Sequence, residues 1–222
     1  CFAASQNGSV TSQQQVWISN TGGGTLNWTA AVDSSWLRCS PASGTGGGLA
    51  YISADPAGLE AGTYSGIVTF SAPGAASSPL TIAVSLEVFS PGSGLQPFGE
   101  MSTPIDGFVV RGNLPVTGWA LDDIGVEHVK LYYERGDEGL VYVDDAVFIE
   151  GARPDVADAY PDYPNNTKAG WGYMLSTHGF PGDGEYTLFA IATDQDGNET
   201  TLGARDITID NAQIALPFGA LE

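Results

Sequence analysis

The chain has 222 residues, 30 of them Gly and 13 Pro, and only 15% are charged. Seven Lys and Arg against 26 Asp and Glu give a formal charge of −19, a surface that repels phosphate backbones and anionic lipid and so excludes nucleic acid as a partner. No stretch approaches the roughly 20 apolar residues that cross a bilayer, which excludes membrane insertion by a helix.

From the N-terminus, short β-prone runs alternate with turn clusters. "QVWISN" (15–20), "LNWTAAV" (26–32) and "GTYSGIVTFSA" (62–72) come first, separated by "NTGGGT" and "SGTGGG". "LTIAVSLEV" (80–88) alternates most cleanly: Leu80, Ile82, Val84, Leu86 and Val88 point one way, and Thr81, Ala83, Ser85 and Glu87 the other. That period of two predicts a half-buried strand. Later runs are "VTGWAL" (116–121), "HVKLYYE" (128–134), "LVYVDDAVFI" (140–149), "GWGYMLS" (170–176), "EYTLFAIAT" (185–193) and "ARDITID" (204–210). No window of helical length keeps an apolar stripe, so the expected class is all-β, built from sandwiches.

The small-residue, uncharged segment 91–96 follows the strongest strand and is read as a linker between a sandwich at 1–90 and another at 97–216. "PFG" at 97–99 recurs at 217–219, one domain length later. Residues 217–222 therefore read as the start of a following module, with Leu221 and Glu222 as an expression remnant.

"VWISNTGGGTLNWTA" (16–30), "SWLRCSPASGT" (35–45), "LEAGTYSGIVTF" (59–70) and "SPLTIAVSLEV" (78–88) resemble the BACON domain. That resemblance implies an immunoglobulin-like module of secreted bacterial proteins, found beside glycoside hydrolases and credited with carbohydrate attachment. "PVTGWALDDIGVEHVKLY" (115–132), "ARPDVADAYPDYPN" (152–165), "GWGYML" (170–175) and "IATDQDGN" (191–198) look like a bacterial Ig-like repeat. The implied fold is two tandem immunoglobulin-like β-sandwiches. Fold analogy names no ligand.

The segment "RPDVADAYPDYPNN" (153–166) departs from the β pattern. Strand ends should bring it to a pole that also holds Asp122, Asp123, Asp194, Asp196 and Asn198. Two readings compete there. Arg153 could fork onto Asp122 or Asp194 and latch the loop to the sandwich. Alternatively "DQDGN" could offer oxygen ligands to Ca²⁺, although no closing Glu follows and "TDxxGN" also makes a tight turn without metal. The arginine latch is preferred. A split of 140–149 into two strands would disturb the placement.

Tyr160, Tyr163, Trp171 and Tyr173 suggest a flat platform for a sugar ring, against the commoner outcome that loop aromatics pack back over the sandwich edge. Trp36 and Trp119 are expected in the core. Of Trp17 and Trp28, one could face outward. Cys1 and Cys39 could form one disulfide in an oxidising compartment, or could be two unrelated small residues.

Nothing catalytic is evident. His128 and His178 stand apart from any nucleophile motif, no serine lies in a G-x-S-x-G elbow, and the glycine runs follow no strand-to-helix pattern. With 26 acids a glycosidase-type carboxylate pair stays open. The reading is a non-catalytic, extracellular or cell-surface bacterial module pair. It would act as a spacer or presentation stalk beside neighbouring domains of its own chain, and bind polysaccharide or another surface component. The alternative is a carbohydrate-targeting accessory region of a glycoside hydrolase whose catalytic domain lies elsewhere.

Overall fold

The computed structural model describes residues 1–136 and 138–213. The repeated "PFG" and the rest of 217–222 lie outside the described residues. The chain divides into two compact units, one formed by Cys1–Leu95 with Asp123–Gly125 and Asp162–Asn165, the other by the remainder from Gln96 on.

The first unit is a sandwich of two sheets. Its strands are β1 (Phe2–Ser5), β2 (Gln14–Ile18), β3 (Asn27–Val32), β4 (Leu37–Ser40), β5 (Ser43–Thr45), β6 (Gly48–Ala54), β7 (Gly62–Ser71) and β8 (Leu80–Phe89). Five strands form one sheet in the order β1-β8-β7-β3-β5, and three form the other as β2-β6-β4. β1 joins β8 in parallel; the other ladders are antiparallel. The core takes Val84, Leu86 and Val88 from β8 and Ile52 and Ala54 from β6, with Trp36 beside them. The period of two at 80–88 thus selects the inward face as expected, although Leu80, at the strand's start, is left largely exposed.

The second unit contains β9 (Phe98–Thr103), β10 (Phe108–Val110), β11 (Asn113–Leu121), β12 (Val126–Glu134), β13 (Val141–Asp145), β14 (Val147–Phe148), α1 (Pro154–Ala159), β15 (Gly170–Ser176), β16 (Gly184–Asp194) and β17 (Glu199–Ile209). Its sheets run β10-β17-β16-β12-β13 and β14-β15-β11-β9. The run 140–149 is therefore two strands: β13 pairs with β12 in one sheet, and β14 pairs with β15 in the other. The switch occurs at Ala146, a small buried residue whose backbone N–H still bonds to the carbonyl of Val129 at 2.8 Å. The short side chain lets the chain cross between layers without opening the core.

Trp171, Tyr173 and Leu175 face inward opposite Gly118, Val116 and Leu114. Gly118 is required at that contact. A Cβ there would collide with the Trp171 indole and the Glu100 carbonyl oxygen.

Candidate functional site

The segment 153–166 is not the open loop its prolines suggest. Pro154 starts α1, where its missing N–H costs no hydrogen bond, and a 3-10 turn follows at Asn166–Lys168. Asn166 ties the segment together by donating from Nδ2 to the carbonyls of Ala157 and Tyr160, both at 3.1 Å.

Arg153 does form a fork, but its partner differs from the expected one. Nε reaches Asp155 Oδ1 at 2.9 Å and Nη2 reaches Oδ2 at 2.7 Å, while Nη1 approaches Ser102 Oγ at 3.3 Å. Neither Asp122 nor Asp194 receives it. The cause is local: helix initiation at Pro154 puts Asp155 in the first turn, two residues away, where its carboxylate also suits the helix N-terminus. The fork raises the pKa of the guanidinium and holds the Asp155 carboxyl below its ordinary value. Arg153 therefore fastens the segment to β9 through the Ser102 hydroxyl and the charge of Glu100 rather than through a second fork.

Aromatic contact does the rest. Leu114, Val116 and Ala120 of β11 enter the core, so alternation sends Trp119 to the opposite face of that strand. There the Trp119 ring lies 5.7 Å from Phe98, edge to face at 88°, and 5.7 Å from Tyr160 at 30°. Tyr160 also meets Phe98 at 5.4 Å. Trp119, expected in the core, is thus a half-buried outer residue covered by Tyr160 from the α1 segment.

This arrangement removes the four-residue sugar platform. Trp171 is 2% exposed and inside the core. Tyr173 packs against the same core, and its hydroxyl pKa is raised by burial and by its bond to Asp144. Tyr160 is stacked on Trp119, and Tyr163 is half-buried. With Trp171 inside the core, the four rings cannot present one exposed plane.

The aspartates are similarly engaged. Asp194 is fully buried at the β16–β17 turn. Its Oδ1 accepts the backbone N–H groups of Asp196 and Asn198, each at 2.8 Å, and its Oδ2 accepts Asn198 Nδ2 at 2.8 Å. Gly197 takes the left-handed conformation (φ 85°) that closes the turn. "TDQDGN" is thus a carboxylate-closed hairpin turn. Asp122 is 1% exposed, whereas Asp123 is grouped with the first unit and accepts the Leu95 N–H at 3.1 Å. Among the described residues, no three His, Cys, Asp or Glu side chains are grouped so as to hold a metal ion. A groove of about 390 Å³ is lined by Glu134 of β12, Glu185 and Thr187 of β16, and Asp206 of β17, with Asp206 accepting the Thr187 hydroxyl at 2.7 Å.

Cys1 and Cys39 are free thiols. The disulfide is therefore not formed in this structure: Cys39 lies within β4 and is partly buried, and Cys1 precedes β1 and is exposed. Partial burial raises the pKa of the Cys39 thiol.

An exposed aromatic surface lies on the first unit. Of Trp17 and Trp28, Trp28 is 5% exposed and Trp17 76%, the most exposed large hydrophobic among the described residues. Val16 packs against the core, as do Ile52 and Cys39, so the outer face of β2-β6-β4 carries Gln15, Trp17, Leu49, Tyr51, Ser40 and Arg38. Trp17 stands directly opposite Leu49, and Gln15 opposite Tyr51, whose other neighbour is Ser40. Arg38 is salt-bridged to Asp55. Leu49 and Tyr51 were missed in the sequence because 48–54 was not read as a strand. The alternation of Leu49, Tyr51 and Ser53 with Ala50, Ile52 and Ala54 is the signal that reveals it.

Comparison with solved structures gives matches of low identity. The Bacteroides ovatus GH5 xyloglucanase in complex with a XXXG heptasaccharide matches with 19% identity over 50% of this chain, at a TM-score of 0.33, and the chain spans 25% of that protein. The Clostridium thermocellum CbhA fibronectin(III)-like modules match with 12% identity over 99% of this chain and 94% of theirs, at 0.35. Domains 4–9 of the surface layer protein SbsC match with 14% identity over 94% of this chain and 29% of theirs, at 0.32. No curated protein matches the chain. Residues 2–83 match the family model described as the viral BACON domain, which supports the resemblance read in the first half of the sequence.

Proposed function

We propose that this chain is a non-catalytic pair of modules in a secreted or surface-exposed protein, serving as a spacer that presents neighbouring domains and engages surface polysaccharide. The matched family is described as viral, so the surface is a virion's as readily as a bacterium's. One observation carries the reading. The polar residues with the strongest claim to chemistry are consumed by the fold: both Asp194 oxygens close a turn, and Arg153 is chelated by Asp155. General acid–base work needs groups within reach of a substrate proton, and these face their own backbone or one another. The test is a panel of glycoside and ester substrates against the purified chain, with heat-killed protein as control. No turnover above control is expected. Activity abolished by replacing a single carboxylate would overturn the proposal.

A further inference from the structure

We infer that the outer face of β2-β6-β4, centred on Trp17, is a subsite for a neutral pyranose polysaccharide. This deepens the surface-binding part of the proposed function and rests on it. A tryptophan exposed to 76% on a regular strand needs a reason, because the adjacent side chain of the same strand, Val16, packs against the core. On a pleated sheet, facing and diagonal residues lie roughly 5–8 Å apart. Trp17, Leu49 directly opposite and Tyr51 on the diagonal therefore form one apolar strip across two strands. Sugar rings present C–H faces that stack on such rings, with hydroxyls around their rims. Around this strip stand an amide, Gln15, and two hydroxyls, those of Tyr51 and Ser40.

Charge selects the occupant. No carboxylate stands among the outward residues of the three strands, and the one cation there, Arg38, is neutralised by Asp55. The chain as a whole carries −19. A uronic or sulfated glycan would approach an acidic molecule at a patch with no free cation to receive it. Two copies of this chain would repel each other, which disfavours self-association through Trp17. A neutral glycan suffers neither penalty.

Affinity electrophoresis of the full 222-residue chain through gels containing a neutral β-glucan, xyloglucan, galactomannan or α-mannan tests this, with a polygalacturonate gel as the anionic arm. At least one neutral glycan is expected to retard migration. Trp17→Ala should weaken that binding about tenfold or more, the effect of losing one stacked aromatic anchor, and Trp17→Phe should recover part of it. Tyr163→Ala, on the segment 153–166, should leave retardation unchanged. Unaltered melting curves for the variants exclude misfolding, as the exposure of Trp17 leads one to expect. Retardation that survives Trp17→Ala overturns the subsite but leaves glycan binding standing. Retardation by polygalacturonate alone overturns the charge argument. No retardation in any gel, or a Trp17-dependent dimer by sedimentation velocity, overturns the inference while leaving the absence of catalysis untouched, since hydrolysis is read separately.

Discussion

Tyr160 stacks on Trp119 with ring centroids 5.7 Å apart and planes tilted by 30°, and this contact joins the proline-rich segment to the outer face of the sheet it crosses. Phe98 closes the cluster against both rings. The segment is thus held chiefly by apolar stacking, with polar ties at its ends. Tyr160→Ala should cost about 1–3 kcal/mol of stability, the range for losing a half-buried aromatic anchor. It should also expose Trp119, seen as a red-shifted tryptophan emission before global unfolding. An unchanged urea midpoint would show that α1 is held by something else.

Arg153→Ala should be mild by comparison. Its partner Asp155 is 63% exposed and only two residues away, and a pair so placed is screened and constrains little chain. The pH dependence has a definite sign. Arg153 holds the folded Asp155 carboxyl below its ordinary value. The pair's contribution is therefore present above the unfolded pKa near ~3.9 and is lost as pH falls through the depressed folded value. The difference in melting temperature between wild type and Arg153→Ala should be constant from neutrality down to just above the unfolded carboxyl pKa of about 3.9, and shrink as the pH falls below it. A difference that grows on acidification would contradict the pairing with Asp155.

Much of this architecture can be read from period and punctuation. The alternation at 80–88 marks β8, and in "GWGYML" Leu175 already assigns Trp171 and Tyr173 to the core face, because residues two apart share a side of a strand. Val16 and Ile18 likewise send Trp17 outward. What stays illegible has a physical cause. A six-residue helix, α1, is too short to show an apolar stripe, and its start at Pro154 redirects Arg153 to Asp155. The break at Ala146 is invisible because β13 and β14 are continuous in composition although they pair in different sheets. Trp119 reads as core because a large aromatic in a strand usually is; alternation with Val116 and Ala120 puts it on the outer face, where Tyr160 and Phe98 cover it.

The two cysteines should titrate as two thiols per chain without denaturant. Cys1 is exposed and should react first; Cys39 is partly buried with a raised pKa, which lowers its thiolate fraction and slows it. Reducing agent should leave the melting curve unchanged, since no intrachain disulfide constrains the unfolded state. A downward shift on reduction would contradict the separation of the two residues.

The strongest single effect in the second unit is expected at Asp194. Its carboxylate is fully buried and accepts three hydrogen bonds, two of them from backbone N–H groups of the turn. Asp194→Ala removes charge-assisted bonds and strands those donors, and should cost roughly 2–4 kcal/mol. Asp194→Asn keeps an oxygen for the two backbone donors but sets its amide nitrogen against Asn198 Nδ2, a donor facing a donor, so an intermediate loss is expected. Calcium binding makes a different claim about the same residue. A metal holding Asp194, Asp196 and Asn198 together would stabilise only the folded state, so EDTA would lower the melting temperature and calcium would raise it. With both Asp194 oxygens already turned to the hairpin's own donors, neither addition should move the midpoint. An EDTA-induced loss that matches the Asp194→Ala loss would show instead that the turn is built around an ion.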